Sequence, residues 1–337
     1  MNFIDVNKKR IVLTGTLLFL LGALIFGCSG IIVTKYYENG AIASSAPIAT
    51  NIGCDIFRRG GNAFDAAIAV GLTLAVVHPE AGNIGGGGFA LIRDGKTEKI
   101  HALDFREKAP MSAYQNMFLD KDSNVIDDLS TLGALASGVP GTIAGLYELW
   151  KTYGTIPWED LAGIAASLAD TGFIVDQKLA ESFENNREAL AFFEETSDIF
   201  LPSGRTPQAG ERFIQKDLAK TLQNIAANGP YGFYKGETAE LIDSCMKKYG
   251  GIITKNDLET YNVVWRNPIC FEFDSLLIYS MPPPSSGGIL LGQILKLIEP
   301  YDLSRYTSQS PEFIHLFCEM SRLAFADRSE FFGDPDY

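Results

Sequence analysis

Positive charge, histidine and cysteine are all scarce in this 337-residue chain, and each shortage removes a class of chemistry. Only 28 Lys and Arg stand against 41 Asp and Glu, for a net charge of −13. Gripping a phosphate backbone takes clustered cations. The longest basic run is Lys8 to Arg10, so nucleic acid is excluded as a partner and the acidity serves solubility. Three histidines, His78, His101 and His315, lie far apart in apolar text and read as core or surface residues, not as a metal cluster. The five cysteines lack the paired spacing of a zinc site. Cys54, Cys245, Cys270 and Cys318 sit singly in hydrophobic stretches and read as buried free thiols, favoured over a disulfide pair. The glycines at Gly82 and Gly85 to Gly88 lack the Gly-Lys-Ser/Thr ending of a phosphate loop and open a strand instead of a helix, so they imply close backbone packing. No Gly-x-Ser-x-Gly elbow surrounds Ser285 or Ser286, which leaves a triad with His315 unsupported. No cofactor or metal is expected.

Long hydrophobic runs are also missing, with one exception at the start. Lys8, Lys9 and Arg10 precede an almost wholly apolar stretch from Ile11 to Gly27, and Cys28 follows at once. That order resembles a bacterial lipoprotein signal, in which Cys28 is the lipidated residue. It gives a leader over residues 1–27, a linker over 28–40 and a domain over 41–337. The competing reading is an uncleaved anchor, because Ile31 to Val33 extend the apolar run towards the roughly 20 residues that span a membrane. Ordinary signal cleavage stands behind both. All three export the domain to the periplasm or cell surface.

The remainder, with 46% hydrophobic and 20% charged residues over the whole chain, is ordinary globular composition without internal repeats. Ile48, Ile52 and Ile56 recur at spacing four and predict a helix over Pro47 to Arg59, closed by Gly60 and Gly61. Asn62, with Asp65 three positions on, predicts a capping box for the next helix. That helix, Ala66 to Val77, is apolar on every face and must be buried between other layers. Phe89 to Arg93 and Thr97 to Phe105 flank Asp94-Gly95, which predicts a hairpin with positive φ at both turn positions. Further helices are predicted from Pro140 to near Gly154, from Pro157 to near Gly172, and around Asp217 to Ala227, with a strand over Ile278 to Met281 and a helix over Gly288 to Ile298. Pro311 to Asp327 predicts a last helix with Phe313, Leu316, Phe317, Met320 and Leu323 on one apolar face. The pattern is one mixed α/β domain with no separable second unit.

Arg106 stands where the hairpin ends. Its planar fork suits a carboxylate, although a local ion pair to Glu107, Asp104 or another nearby acid is the plainer reading of the residues alone.

Seven ordered motifs bear on that choice. They are GNAFDAAIAV (Gly61 to Val70), GGGGF (Gly85 to Phe89), DFREKAP (Asp104 to Pro110), GVPGTIAGL (Gly138 to Leu146), GGIIT (Gly250 to Thr254), MPPPSSGGI (Met281 to Ile289) and FADRSEFFGDPD (Phe325 to Asp336). Together they resemble the γ-glutamyltransferase (γ-glutamyltranspeptidase, glutathione hydrolase) family from Ala41 to Tyr337. The resemblance implies an N-terminal-nucleophile hydrolase with an αββα sandwich, made as a precursor that cuts itself into two subunits. This chain would then be most of the large subunit. It also implies cleavage of γ-glutamyl amides such as glutathione, with transfer of the glutamyl group to water or amino acids. The attacking group would be a threonine at the start of the small subunit, and Arg106 would grip the substrate's α-carboxylate. On that reading no catalytic nucleophile lies within the chain, a separately encoded small subunit is a candidate partner, and half the sandwich is missing, leaving open strand edges and exposed apolar surface. Two alternatives are a catalytically inactive lipoprotein that keeps a glutamyl pocket and a related cephalosporin-type acylase.

Overall fold

A computed structural model describes residues Gly40 to Asp336. The leader, Cys28 and most of the linker lie outside the described residues. Helix α1 (Pro47–Arg58) starts on its proline and is followed by Gly60 at φ +85°. Asn62 then caps α2 (Ala63–Val77) as expected: its side chain accepts from the Phe64 and Asp65 amides, and Asp65 accepts from the Asn62 amide. Asp65 does more than cap. It also accepts from the amides of Thr155 and Ile156 and from the Thr155 hydroxyl, so one buried carboxylate ties the start of α2 to a loop 90 residues away. Burial pushes its pKa up, but the bonds from Thr155, Asn62 and Ile156 outweigh this and hold it below the usual carboxylate range.

The all-apolar α2 is enclosed by α1, α3 (Thr142–Tyr153) and α4 (Trp158–Thr171). Its Ile68, Leu72 and Val76 share one core with Ile92 and Leu103 of an adjoining sheet. That sheet begins as an antiparallel hairpin of β1 (Phe89–Arg93) and β2 (Ile100–Asp104), running from Phe89 opposite Asp104 to Arg93 opposite Ile100. The turn differs from the expectation: Glu98, not Gly95, takes the positive φ, at 60°. The Asp94 carboxylate accepts from the Lys96 amide and the Thr97 hydroxyl, so it supports a six-residue loop in place of a two-residue turn.

A short pair, β3 (Phe173–Ile174) and β4 (Arg212–Phe213), brackets α5 (Gln177–Asn185), α6 (Arg187–Ala191) and α7 (Glu194–Phe200). Helix α8 (Lys216–Asn228) packs along α4, followed by α9 (Tyr231–Tyr234), α10 (Gly236–Tyr249) and α11 (Lys255–Glu259). The chain then returns to the sheet, where β5 (Val264–Arg266) pairs with β2 and sets Leu103 opposite Trp265. A separate hairpin of β6 (Ile269–Phe273) and β7 (Leu276–Ser280) carries α12 (Gly287–Ile298), and α13 (Pro311–Phe331) packs on α12.

Much of this last part is uncovered. Among the described residues, β1 and β5 each pair on one side only. On α13 only Leu316 and Ala324 are buried, while Ile314, Phe317, Leu323, Phe325 and Phe331 are exposed. The expected apolar face therefore exists but, among the described residues, packs mainly on α12 and stays largely exposed. The cysteines need a correction for a related reason. All four described thiols are free, but Cys245, Cys270 and Cys318 are exposed and Cys54 is half-buried. Alternation along β6 turns Cys270 outward with Glu272, and Cys318 lies on the open side of α13.

Candidate functional site

The end of β2 is held by backbone contact. Phe105 and Gly88 exchange main-chain hydrogen bonds of 3.0 and 3.2 Å, and the Gly86 carbonyl accepts from the Gly141 and Thr142 amides at the start of α3. A Cβ on Gly87 would lie 2.5 Å from the Phe105 carbonyl and 2.7 Å from the Glu107 amide, so only glycine permits the approach. The glycine run is thus a packing device, as its sequence implies.

This contact presents Arg106 on a peptide fixed at both ends. Its N–H donates to Asp104 Oδ1 at 3.0 Å, and its carbonyl accepts from the Tyr261 hydroxyl at 2.8 Å. The other Asp104 oxygen accepts from Arg266 Nε at 2.8 Å, and the Arg266 terminal nitrogens fork onto Asp336 at 3.2 and 2.6 Å. Burial drives the Tyr261 pKa strongly up, reinforced by Tyr234, Asp104 and Glu107, so its proton stays in place to serve the carbonyl. The fork from Arg266 holds the Asp336 carboxyl below its usual range and raises the guanidinium in turn.

Arg106, Lys108, Tyr261, Arg266 and Asp336 line a cleft of about 560 Å³, together with Asp257 and Asp334. The Arg106 side chain is exposed there and makes no salt bridge among the described residues. The local ion pair to Glu107, Asp104 or another nearby acid is therefore not formed among the described residues, and for Asp104 the reason is that both its oxygens are already engaged. Lys108 exchanges main-chain hydrogen bonds with Val139, and its ammonium lies 5.4 Å from the centre of the Tyr261 ring.

The other sequence candidates lie outside this cleft. Ser286 accepts from Arg328 Nε, Ser285 accepts from the Gly287 amide, and neither is bonded to a histidine. His78 faces Glu80 at 3.3 Å, and His101 stands edge-on to Trp265. Among the described residues no cluster of three or more His, Cys, Asp or Glu is placed to hold a metal ion. Sequence reasoning missed Tyr261, Arg266 and Asp336. Only Asp336 carried a signal, as part of the GDPD motif. Chemically, the cleft offers a free planar cation on a rigid support, which suits an anionic group of a small molecule.

Comparison with known proteins follows the same lines. A family model described as Gamma-glutamyltranspeptidase matches residues 49–337. The glutathione hydrolase proenzyme of Escherichia coli K12 is 46% identical over 301 residues, covering 89% of this chain and 52% of that protein. The chain therefore spans about half the length of the curated relatives it matches. The crystal structure of Helicobacter pylori γ-glutamyltranspeptidase superposes with a TM-score of 0.88 at 48% identity, covering 90% of this chain and 87% of that one. The γ-glutamyltranspeptidase from Pseudomonas nitroreducens complexed with L-DON gives 0.84 at 40% identity, covering 89% of each chain. The fold is that of the N-terminal-nucleophile hydrolases, with mixed helix and sheet. On the family match and these likenesses, the chain belongs to the γ-glutamyltranspeptidase family.

Proposed function

We propose that this chain is the substrate-gripping portion of an exported enzyme that cleaves γ-glutamyl amides such as glutathione and passes the glutamyl group to water or to an amino acid. One observation carries the reading: the Arg106 guanidinium stands free in a cleft while its own peptide is fixed at both ends. In that setting it takes the substrate's α-carboxylate through paired charge-assisted bonds, which leaves the γ-amide to be placed against a nucleophile.

The nucleophile belongs to a threonine at the head of a small subunit outside these 337 residues, with its own α-amino group as base. Its hydroxyl oxygen adds to the γ-carbonyl carbon and the amine departs with a proton. The resulting glutamyl ester is then opened by water or by an acceptor amine. The bare outer side of α13 and the open edges of β1 and β5 support a second portion docking there. By itself the chain then cleaves no γ-glutamyl amide. The apolar leader and Cys28 support export and lipid anchoring.

The test is Arg106→Lys in the full two-subunit protein, assayed on a γ-glutamyl anilide. Losing the fork costs about 1.5–3 kcal/mol, or a roughly 10- to 150-fold higher KM, with little change in kcat. A 4-aminobutanoyl anilide, which lacks the α-carboxylate, is handled alike by both forms. Equal damage to both substrates, or none to either, overturns the assignment.

A further inference from the structure

The Asp104–Arg266–Asp336 chain is more elaborate than fixing a strand end requires. Arg266 lies 162 positions from Asp104 and 70 from Asp336, so it joins three stretches that are remote in sequence. Its side chain is 14% exposed and that of Asp104 is 8% exposed, whereas that of Asp336 is 51% exposed. The inner half of the chain is therefore buried and the outer half is open to solvent. An exposed pair of this kind contributes little to stability by itself. It does determine where the guanidinium points. With Asp336 in place, all three Arg266 nitrogens are engaged and the guanidinium plane is fixed. Without it, the group hangs by Nε alone.

We propose that Arg266 is a positioning residue for the carboxylate clamp, and that docking of the Asp334–Asp336 segment onto it sets the clamp's affinity. The geometry gives each step. Asp336 fixes the Arg266 plane, Arg266 Nε fixes one Asp104 oxygen, and the other oxygen then holds the Arg106 N–H at 3.0 Å. Releasing Arg266 frees the Asp104 carboxylate to turn towards Arg106, the cation two residues along the chain that lines the same cleft. The clamp would then be occupied by an internal anion in place of the substrate. The opposite end of the Arg106 peptide is held independently, because Tyr261 stacks on Tyr234 at 5.9 Å and Tyr234 donates to the Pro140 carbonyl. Loss of the relay therefore disturbs one end only and leaves the cleft standing.

This inference rests on the reading of Arg106 as a carboxylate ligand, and a double-mutant cycle in the full two-subunit protein separates the two. Asp336→Asn, Arg266→Lys, Arg106→Lys and the Asp336→Asn/Arg106→Lys pair are compared on a γ-glutamyl anilide and on the 4-aminobutanoyl anilide. Asp336→Asn and Arg266→Lys should each lower the ratio of kcat/KM for the first substrate over the second about tenfold, through KM. The double variant should lose less than the product of the two single effects, because both changes act through one group. Asp336→Glu, which keeps the charge, should recover part of the ratio. If Arg106→Lys discriminates between the substrates but Asp336→Asn does not, or if the two effects add, the relay is refuted and Arg266 is a structural staple. If Arg106→Lys fails to discriminate, the carboxylate reading falls and the relay with it. Since Asp336 is half exposed, Asp336→Asn leaves the fold intact where Arg266→Lys could lower expression.

Discussion

Gly141 is the sharpest test of how the site is held. Its backbone, at φ −119° and ψ −15°, is open to any residue, so the need for glycine there is purely steric. A Cβ would lie 2.0 Å from the Phe105 carbonyl and 2.1 Å from the Tyr261 hydroxyl. The first is main chain, pinned by its bond from Gly88, and the second is engaged with the Arg106 carbonyl. Neither can give way without moving the strand end. Overpacking of this kind costs about 1–3 kcal/mol, and loss of the Tyr261 bond adds about 0.5–1.5 kcal/mol. Gly141→Ala should therefore destabilise by about 2–4 kcal/mol, a fall in Tm of roughly 3–7 °C for a domain of this size. Gly163 is the control: it lies inside α4 with nothing within 4 Å of its would-be Cβ. There alanine only improves helix propensity, by up to about 1 kcal/mol, and Tm should rise. Thermal unfolding of both variants by circular dichroism reads the difference. If Gly141→Ala melts with the parent chain, the close approach of α3 to the Arg106 strand is wrong.

Asp65→Asn should cost about 1–3 kcal/mol, because an amide cannot accept all four bonds now made to the carboxylate; an unchanged urea midpoint would show that the link to Thr155 and Ile156 is dispensable. Arg205 and the Gln208 amide hold the exposed Glu211 carboxyl down at about 2 from 4.5. A folded-state pKa below the unfolded one stabilises above pH 4.5 and loses that contribution as pH falls towards 2. The Tm gap between the parent and Glu211→Gln should therefore be constant from pH 7 to about 5 and close below that, and a gap independent of pH would refute the pairing. Cys28→Ala should abolish incorporation of labelled fatty acid in cells; unchanged labelling would place the lipid on another residue, and an unlabelled parent chain would point to the uncleaved anchor or to ordinary cleavage.

What could be read from the sequence follows the range of the interaction. The capping box at Asn62 and the ends of α1, α3, α4 and α8 depend on contacts within a few residues, and the chain spells them out. The β1–β2 pairing was equally legible, but not its turn, because Asp94 could either enter a tight Asp-Gly pair or use its side chain to support a longer loop. The cysteines misled because apolar neighbours in sequence say nothing about facing: Phe271 and Cys270 are adjacent on β6 and point opposite ways. At the site, Arg106 could be picked out from its motif, but its holders Tyr261 and Arg266 lie 155 and 162 positions from their partners.

That distance explains why the plainer reading of Arg106 failed. An Asp two residues before an Arg invites an ion pair, and from the local text nothing prevents one. A carboxylate has two oxygens, however, and Asp104 has used one on the Arg106 amide and the other on Arg266. Its charge is met by the remote guanidinium, so among the described residues the nearby one is left without an acidic partner. The freedom of Arg106 to meet a ligand is thus produced by a third residue far downstream, and it becomes visible only once β5 lies beside β2 and brings Arg266 to Asp104.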